Sequence, residues 1–160
     1  MAQTLWCRGL GMSPEWEPDP AVEAVIAYMR EEYSAWGWAD PLLELTWYDH
    51  PEPRPFPSGK QLSQLLVLRH RDRGFYFEFN DYIGRVSGGW LVAIDPAGDR
   101  SEWVSNMSHG EEAFFLAACF LPQTASERVV ADFMVGGNLS PETEWVSFGP
   151  LCPRRDYPSE

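Results

Sequence analysis

His109, Gly110, Glu111 and Glu112 stand consecutively, a spacing at which an imidazole and a carboxylate could share a proton in acid–base work. The glycine equally makes the tetrapeptide a turn with solvated charges, which is the expected role. His50 and His70 complete the histidines; none has another histidine or a cysteine at ligand spacing, so no metal is expected. Cys7, Cys119 and Cys152 are odd in number and lack C-x-x-C spacing, which points to neither a disulfide framework nor a zinc site. Ser87 precedes Gly88 and Gly89 without the strand-to-helix context of a nucleophile elbow. The glycines nearby fit no phosphate loop or dinucleotide fingerprint. Nucleophilic catalysis is unsupported, no cofactor is expected, and the chain reads as a binder rather than an enzyme.

Charge and aromatic content carry more. Formal net charge is −12, with 24 Asp plus Glu against 12 Lys plus Arg, so a polyanionic nucleic acid is repelled and a basic partner is the natural inference. Carboxylates gather at expected hairpin ends: Glu78 with Asp81, Asp95 with Asp99 and Glu102, and Glu111 with Glu112. A solvated rim is the plain account of each cluster. Together they could also focus a negative field that speeds encounter with a basic partner. Among the eight tryptophans, Trp47, Trp103 and Trp145 lie in expected strands and are assigned to packing. Trp36, Trp38 and Trp90, with Tyr82, are the candidate apolar anchors of a partner-binding surface.

These side chains need a scaffold, and 160 residues with 44% hydrophobic content suffice for one domain spanning 1–160. Residues 1–18 read as an irregular lead-in with room for a short strand at 4–7, and 149–160 as a tail. Asp19 as N-cap and Pro20 at the first helical position open an expected helix, with Val22, Val25, Ile26, Met29 and Tyr33 on one face and Gly37 as its stop. Strands are expected at 43–48, 65–69, 74–79, 89–95 and 100–106, joined by turns short enough for antiparallel pairing. Phe75, Phe77 and Phe79 alternate with Tyr76 and Glu78, the period-two pattern of a sheet with one packed face. The Pro-rich segment 50–57 is an expected surface loop. The apolar run 112–121 fits a strand or a helix, of which the strand is favoured. The nine-residue apolar run 113–121 is too short to cross a bilayer, no basic, apolar leader opens the chain, and a cytoplasmic location with reduced thiols is expected.

Residues 120–148 close the pattern: a strand end, a corner at Pro122, a helix with a Thr124/Glu127 capping box, a stop at Gly136 or Gly137, and a strand over 143–148. The fold class is therefore α+β, an antiparallel sheet of about six to seven strands with helices packed mainly on one face and the other face open to a partner.

That order resembles the first-numbered family of immunity proteins in bacterial polymorphic toxin systems. The matching residues are Leu121, Pro122, Ala125, Val130, Phe133, Gly137, Pro141 and Trp145, and the likeness covers roughly residues 40 to 148. It implies a protein that neutralises the C-terminal toxin domain of a cognate toxin, a class that includes deaminases and nucleases, by occluding its active site or substrate groove. It carries over scaffold residues only, Pro122, Phe133, Gly137 and Trp145. A small-molecule-binding or enzymatic α+β domain with an aromatic pocket, and a subunit of a larger assembly, stand as alternatives.

Overall fold

The structure, a computed structural model, describes residues 3–37, 40–49, 57, 59–86, 88–151 and 153–156. Trp38, His50, Ser87, Cys152 and all of the Pro-rich segment but Pro57 lie outside the described residues. In chain order the elements are β1 (Thr4–Arg8), β2 (Trp16–Pro18), α1 (Val22–Met29), β3 (Leu42–Asp49), β4 (Lys60–His70), β5 (Gly74–Asp81), β6 (Trp90–Ile94), β7 (Trp103–Ser108), β8 (Glu111–Leu116), β9 (Phe120–Leu121), α2 (Gln123–Met134) and β10 (Glu144–Ser147). One antiparallel sheet runs β10-β6-β5-β4-β3-β1-β2, with β9 paired to β5 as its eighth strand. The α+β class is as the sequence predicts.

Alternation along each strand builds the core. Leu5 and Cys7, Leu43 and Leu45, Leu65 and Val67, Phe75, Phe77 and Phe79, and Leu91 and Ala93 share one face. Both helices close over it, α1 with Val25, Tyr28 and Met29, and α2 with Val129, Val130, Phe133 and Met134. The three β5 phenylalanines alone contribute on the order of 5–9 kcal/mol relative to solvent exposure. The Phe133 ring meets Phe79 edge-on at 6.2 Å, which fixes α2 over the middle of the sheet.

The opposite face is not left wholly open. β7 and β8 leave the sheet and form a hairpin of their own. Ala113, Phe115 and Leu116 of that hairpin, with Cys119 and Phe120, pack on Leu68, Tyr76 and Val92 at one end of the opposite face. Strand 100–106, expected within a continuous meander, is instead this hairpin's first arm and starts only at Trp103. The Asp99 carboxylate accepts the Ser101 and Glu102 amides and holds the preceding residues in a turn.

Four local expectations are corrected. Asp19 does not cap α1: Ala21 occupies that position, while Asp19 takes φ 43 and its carboxylate accepts the Leu5 amide at 3.1 Å, fastening β1. The helix stops at Met29, and a separate 3-10 turn, Tyr33–Trp36, precedes Gly37. Thr124 and Glu127 make no capping box, because Pro122 is the N-cap and Glu127 is taken by Arg30 and Gln123. The run 112–121 is broken into β8, a 3-10 turn at Ala117–Cys119, and β9. The Gly stop of α2 holds: the Gly137 amide donates to the Phe133 carbonyl at 2.8 Å, with φ 75.

Candidate functional site

Because side chains alternate, the cross-strand register dictates which residues face away from the helices. One row runs Arg8, Glu44, Leu66, Glu78, Val92 across β1, β3, β4, β5 and β6. The next runs Trp6, Thr46, Gln64, Asn80, Trp90. Within this polar and aromatic strip Trp6, Thr46 and Val92 are buried, Gln64, Glu78 and Asn80 are half-buried, and Trp90, 44% exposed, meets solvent at the edge.

Glu78 is the centre of the strip. Its carboxylate accepts the Tyr76 hydroxyl at 2.8 Å and the Trp90 indole N–H at 3.4 Å. Burial pushes the Glu78 carboxyl above the usual carboxylate range, and it outweighs those two hydrogen bonds and the nearby His109, all of which favour the charged form. Six carboxylates elsewhere find arginines: Glu44 with Arg8, Glu127 with Arg30, Glu102 with Arg73, Glu144 with Arg100, Glu142 with Arg128 and Glu111 with Arg155. Among the described residues, no arginine or lysine pairs with Glu78.

Around it the surface is ordered. Trp90 stacks flat on Phe148, ring centroids 3.7 Å apart and planes within 7°. Gln64 accepts from the Tyr82 hydroxyl at 3.1 Å and the Asn80 amide at 3.4 Å. At the other end of the row, Arg8 lies over the Trp16 ring at 4.8 Å while pairing with Glu44. A shallow cavity of about 340 Å³ continues the strip past Glu44, lined by Arg8, Met12, Asp40 and Leu42. The hairpin turn borders it, since the His109 amide donates to the Asp40 carboxylate at 3.1 Å.

The structure sorts the sequence's candidates by what each carboxylate already holds. Asp81 accepts the Ile83 and Val86 amides at 3.2 and 2.7 Å, Asp95 the Ala97 amide at 3.0 Å, and Asp99 the Ser101 amide at 2.7 Å. These three are turn builders, and the Ser101 bonds hold the Asp99 carboxyl below its usual value. Glu102 is paired with Arg73, Glu111 with Arg155, and Glu112 accepts the Ser105 hydroxyl at 2.7 Å. Tyr82 is 46% exposed and joins Glu78 and Trp90 on the strip. Trp36 is corrected: at 2% exposure it is a core residue, stacked on Tyr28 at 4.5 Å with its indole N–H given to the Tyr28 carbonyl. Trp38 lies outside the described residues.

Sequence reasoning missed Glu44, Gln64, Asn80 and Phe148. The alternation that marked Glu78 as opposite the Phe75–Phe77–Phe79 face was the available signal. It says nothing of which residues on neighbouring strands stand beside Glu78, because register is set by turns and bulges such as the one between Trp47 and Tyr48.

Among the described residues, no group of three or more His, Cys, Asp or Glu side chains is placed to hold a metal ion, and no helix is long and apolar enough to cross a membrane. No family model, no curated protein and no solved structure matches the chain.

Proposed function

We propose that this chain is a cytoplasmic immunity protein that binds and neutralises the C-terminal toxin domain of a cognate polymorphic toxin, without catalysis. The observation that carries the reading is the sheet edge at Glu78 and Trp90, where a carboxylate that no arginine or lysine among the described residues pairs with lies beside an exposed tryptophan. A net charge of −12 matches it to a basic surface. A toxin that acts on nucleic acid, such as a nuclease or a deaminase, must offer cations to phosphates, and an acidic strip can occupy the same ground. Blocking that groove needs shape and charge only, which fits a site built from an acidic side chain and ordered aromatics. The likeness of residues 120–148 to the immunity family supports the same reading.

Growth rescue tests it. A candidate toxin domain, sought at the C-terminus of the product of the adjacent gene, is expressed in a susceptible cell with and without the protein, and the purified pair is run through size-exclusion chromatography. Rescue together with a stable complex is the expected result. A toxic neighbour, soluble immunity protein and no rescue would remove the pairing.

A further inference from the structure

We propose that Glu78 and Trp90 form a receptor for an arginine side chain of a basic protein partner, docked on the sheet face where Trp90 and Tyr82 are exposed. A carboxylate offers about four lone-pair sites. Glu78 uses one for the Tyr76 hydroxyl and one for the Trp90 indole N–H, so both oxygens keep capacity for further donors. Burial disfavours its charge, the nearby His109 offsets that only in part, and no arginine or lysine among the described residues pairs with it, unlike the six arginine-paired carboxylates. An incoming cation is the complement that the position lacks.

The neighbouring ring selects which cation. Trp90 has one face against Phe148 and is 44% exposed, so an indole surface stands at the carboxylate's side. A guanidinium is planar: it donates in a fork to a carboxylate and stacks on an aromatic face, two contacts that a compact ammonium cannot make together. Arg8 on this same sheet face already shows the arrangement, lying over Trp16 while pairing with Glu44. Charge complementarity points to a basic protein surface, with a net charge of −12 on this chain. The identity of that partner as a toxin domain rests on the immunity reading; the chemistry of the receptor does not.

The experiment therefore has two arms. In the first, isotope-labelled protein is titrated with tri-arginine and with tri-lysine, and the Trp90 indole N–H resonance is followed, assigned by its loss in Trp90→Phe. Tri-arginine is expected to shift it, tri-lysine to shift it several-fold less at equal concentration, and Glu78→Gln to abolish the response while remaining folded. No arginine-dependent shift, an equal lysine shift, or an unchanged response in Glu78→Gln each overturns the proposal. In the second arm, affinity for the neighbouring toxin domain is measured by calorimetry, and Glu78→Gln is expected to weaken it at least about 30-fold. Tight binding unaffected by Glu78→Gln and by Trp90→Ala overturns the docking role while leaving the immunity reading intact. A positive first arm with no toxin binding by the wild-type protein removes the immunity reading and keeps the arginine receptor.

Discussion

Alanine at Gly137 probes the closest approach between α2 and the sheet. A Cβ there would lie 2.4 Å from the Ser63 hydroxyl, 3.0 Å from Trp47 Cδ1 and 3.3 Å from an Arg85 guanidinium nitrogen, on a backbone at φ 75. The left-handed conformation costs a residue with a Cβ about 1–2 kcal/mol. Overpacking adds about 1–3 kcal/mol, since Ser63 is fully buried on β4 with only its short side chain to move. Gly137→Ala should thus lose about 2–5 kcal/mol, which lowers the melting temperature by roughly 4–20 °C in a domain of this size. The Ser63 hydroxyl is buried with no hydrogen-bond partner among the described residues, so Ser63→Ala alone should be close to neutral. In the Gly137→Ala background it removes the nearest obstacle and should recover about 1 kcal/mol or more. Thermal and urea unfolding of the four proteins closes the cycle. Additivity within about 0.5 kcal/mol would refute the steric reasoning, because contacting residues must couple if the clash is real.

Other variants address separate links. Phe133→Ala empties the site between α2 and Phe79 and should cost about 3–5 kcal/mol by urea unfolding. Trp47→Phe removes the indole N–H donated to the Phe133 carbonyl at 3.0 Å, for a loss of about 1 kcal/mol on the same assay. Asp81→Lys strips the Ile83 and Val86 amides of their acceptor and should cost about 1–3 kcal/mol, in contrast to a solvated rim charge, whose reversal leaves the melting temperature unchanged. Burial pushes the Cys7 thiol to about 12 and the Cys119 thiol to about 11, so neither should be alkylated by iodoacetamide at pH 8 until denaturant is added, as read by mass spectrometry.

The elements legible in the sequence were those whose signal is local. Phe75, Phe77 and Phe79 announced β5 and its buried face, and Phe133 with Gly137 announced the body and end of α2. Helix starts were misplaced because a capping side chain has competing partners that only the tertiary fold supplies. Asp19 was drawn to the Leu5 amide of β1, and Glu127 to Arg30 of the neighbouring helix region. The hairpin of β7 and β8 was illegible as a separate unit, since its apolar spacing is the same whether a strand extends the sheet or folds over it. For the candidate site, residue type named Glu78, Tyr82 and Trp90 alongside Asp81, Asp95 and Asp99, and it could not tell that the last three hold backbone amides of their own turns. The difference lies in backbone amides: a carboxylate that closes a turn and one that bonds only to side chains are the same in sequence.

That difference has a thermodynamic signature at Glu78. Burial raises its carboxyl pKa in the folded state above the unfolded value, so over the interval between the two the native protein holds a proton that the unfolded chain has released. Stability therefore falls as pH rises through that interval, and the loss is complete once the native carboxyl is also ionised. Tyr76, Trp90 and His109 oppose the shift without cancelling it. Glu78→Gln keeps the shape and an acceptor for either donor but never ionises. It should be more stable than the wild type at pH 7, with the gap closing below about pH 4, where both side chains are neutral. Melting temperatures of the two proteins from pH 3.5 to 8 read this directly. A purely structural carboxylate behaves in the opposite way, as a turn-holding or ion-paired acid does, and its amide variant loses stability as pH rises. A less stable Glu78→Gln at pH 7 would therefore refute the assignment of Glu78 as a charge retained at a cost to the fold. A more stable one leaves recognition of a cationic partner as the reason for a carboxylate at that position.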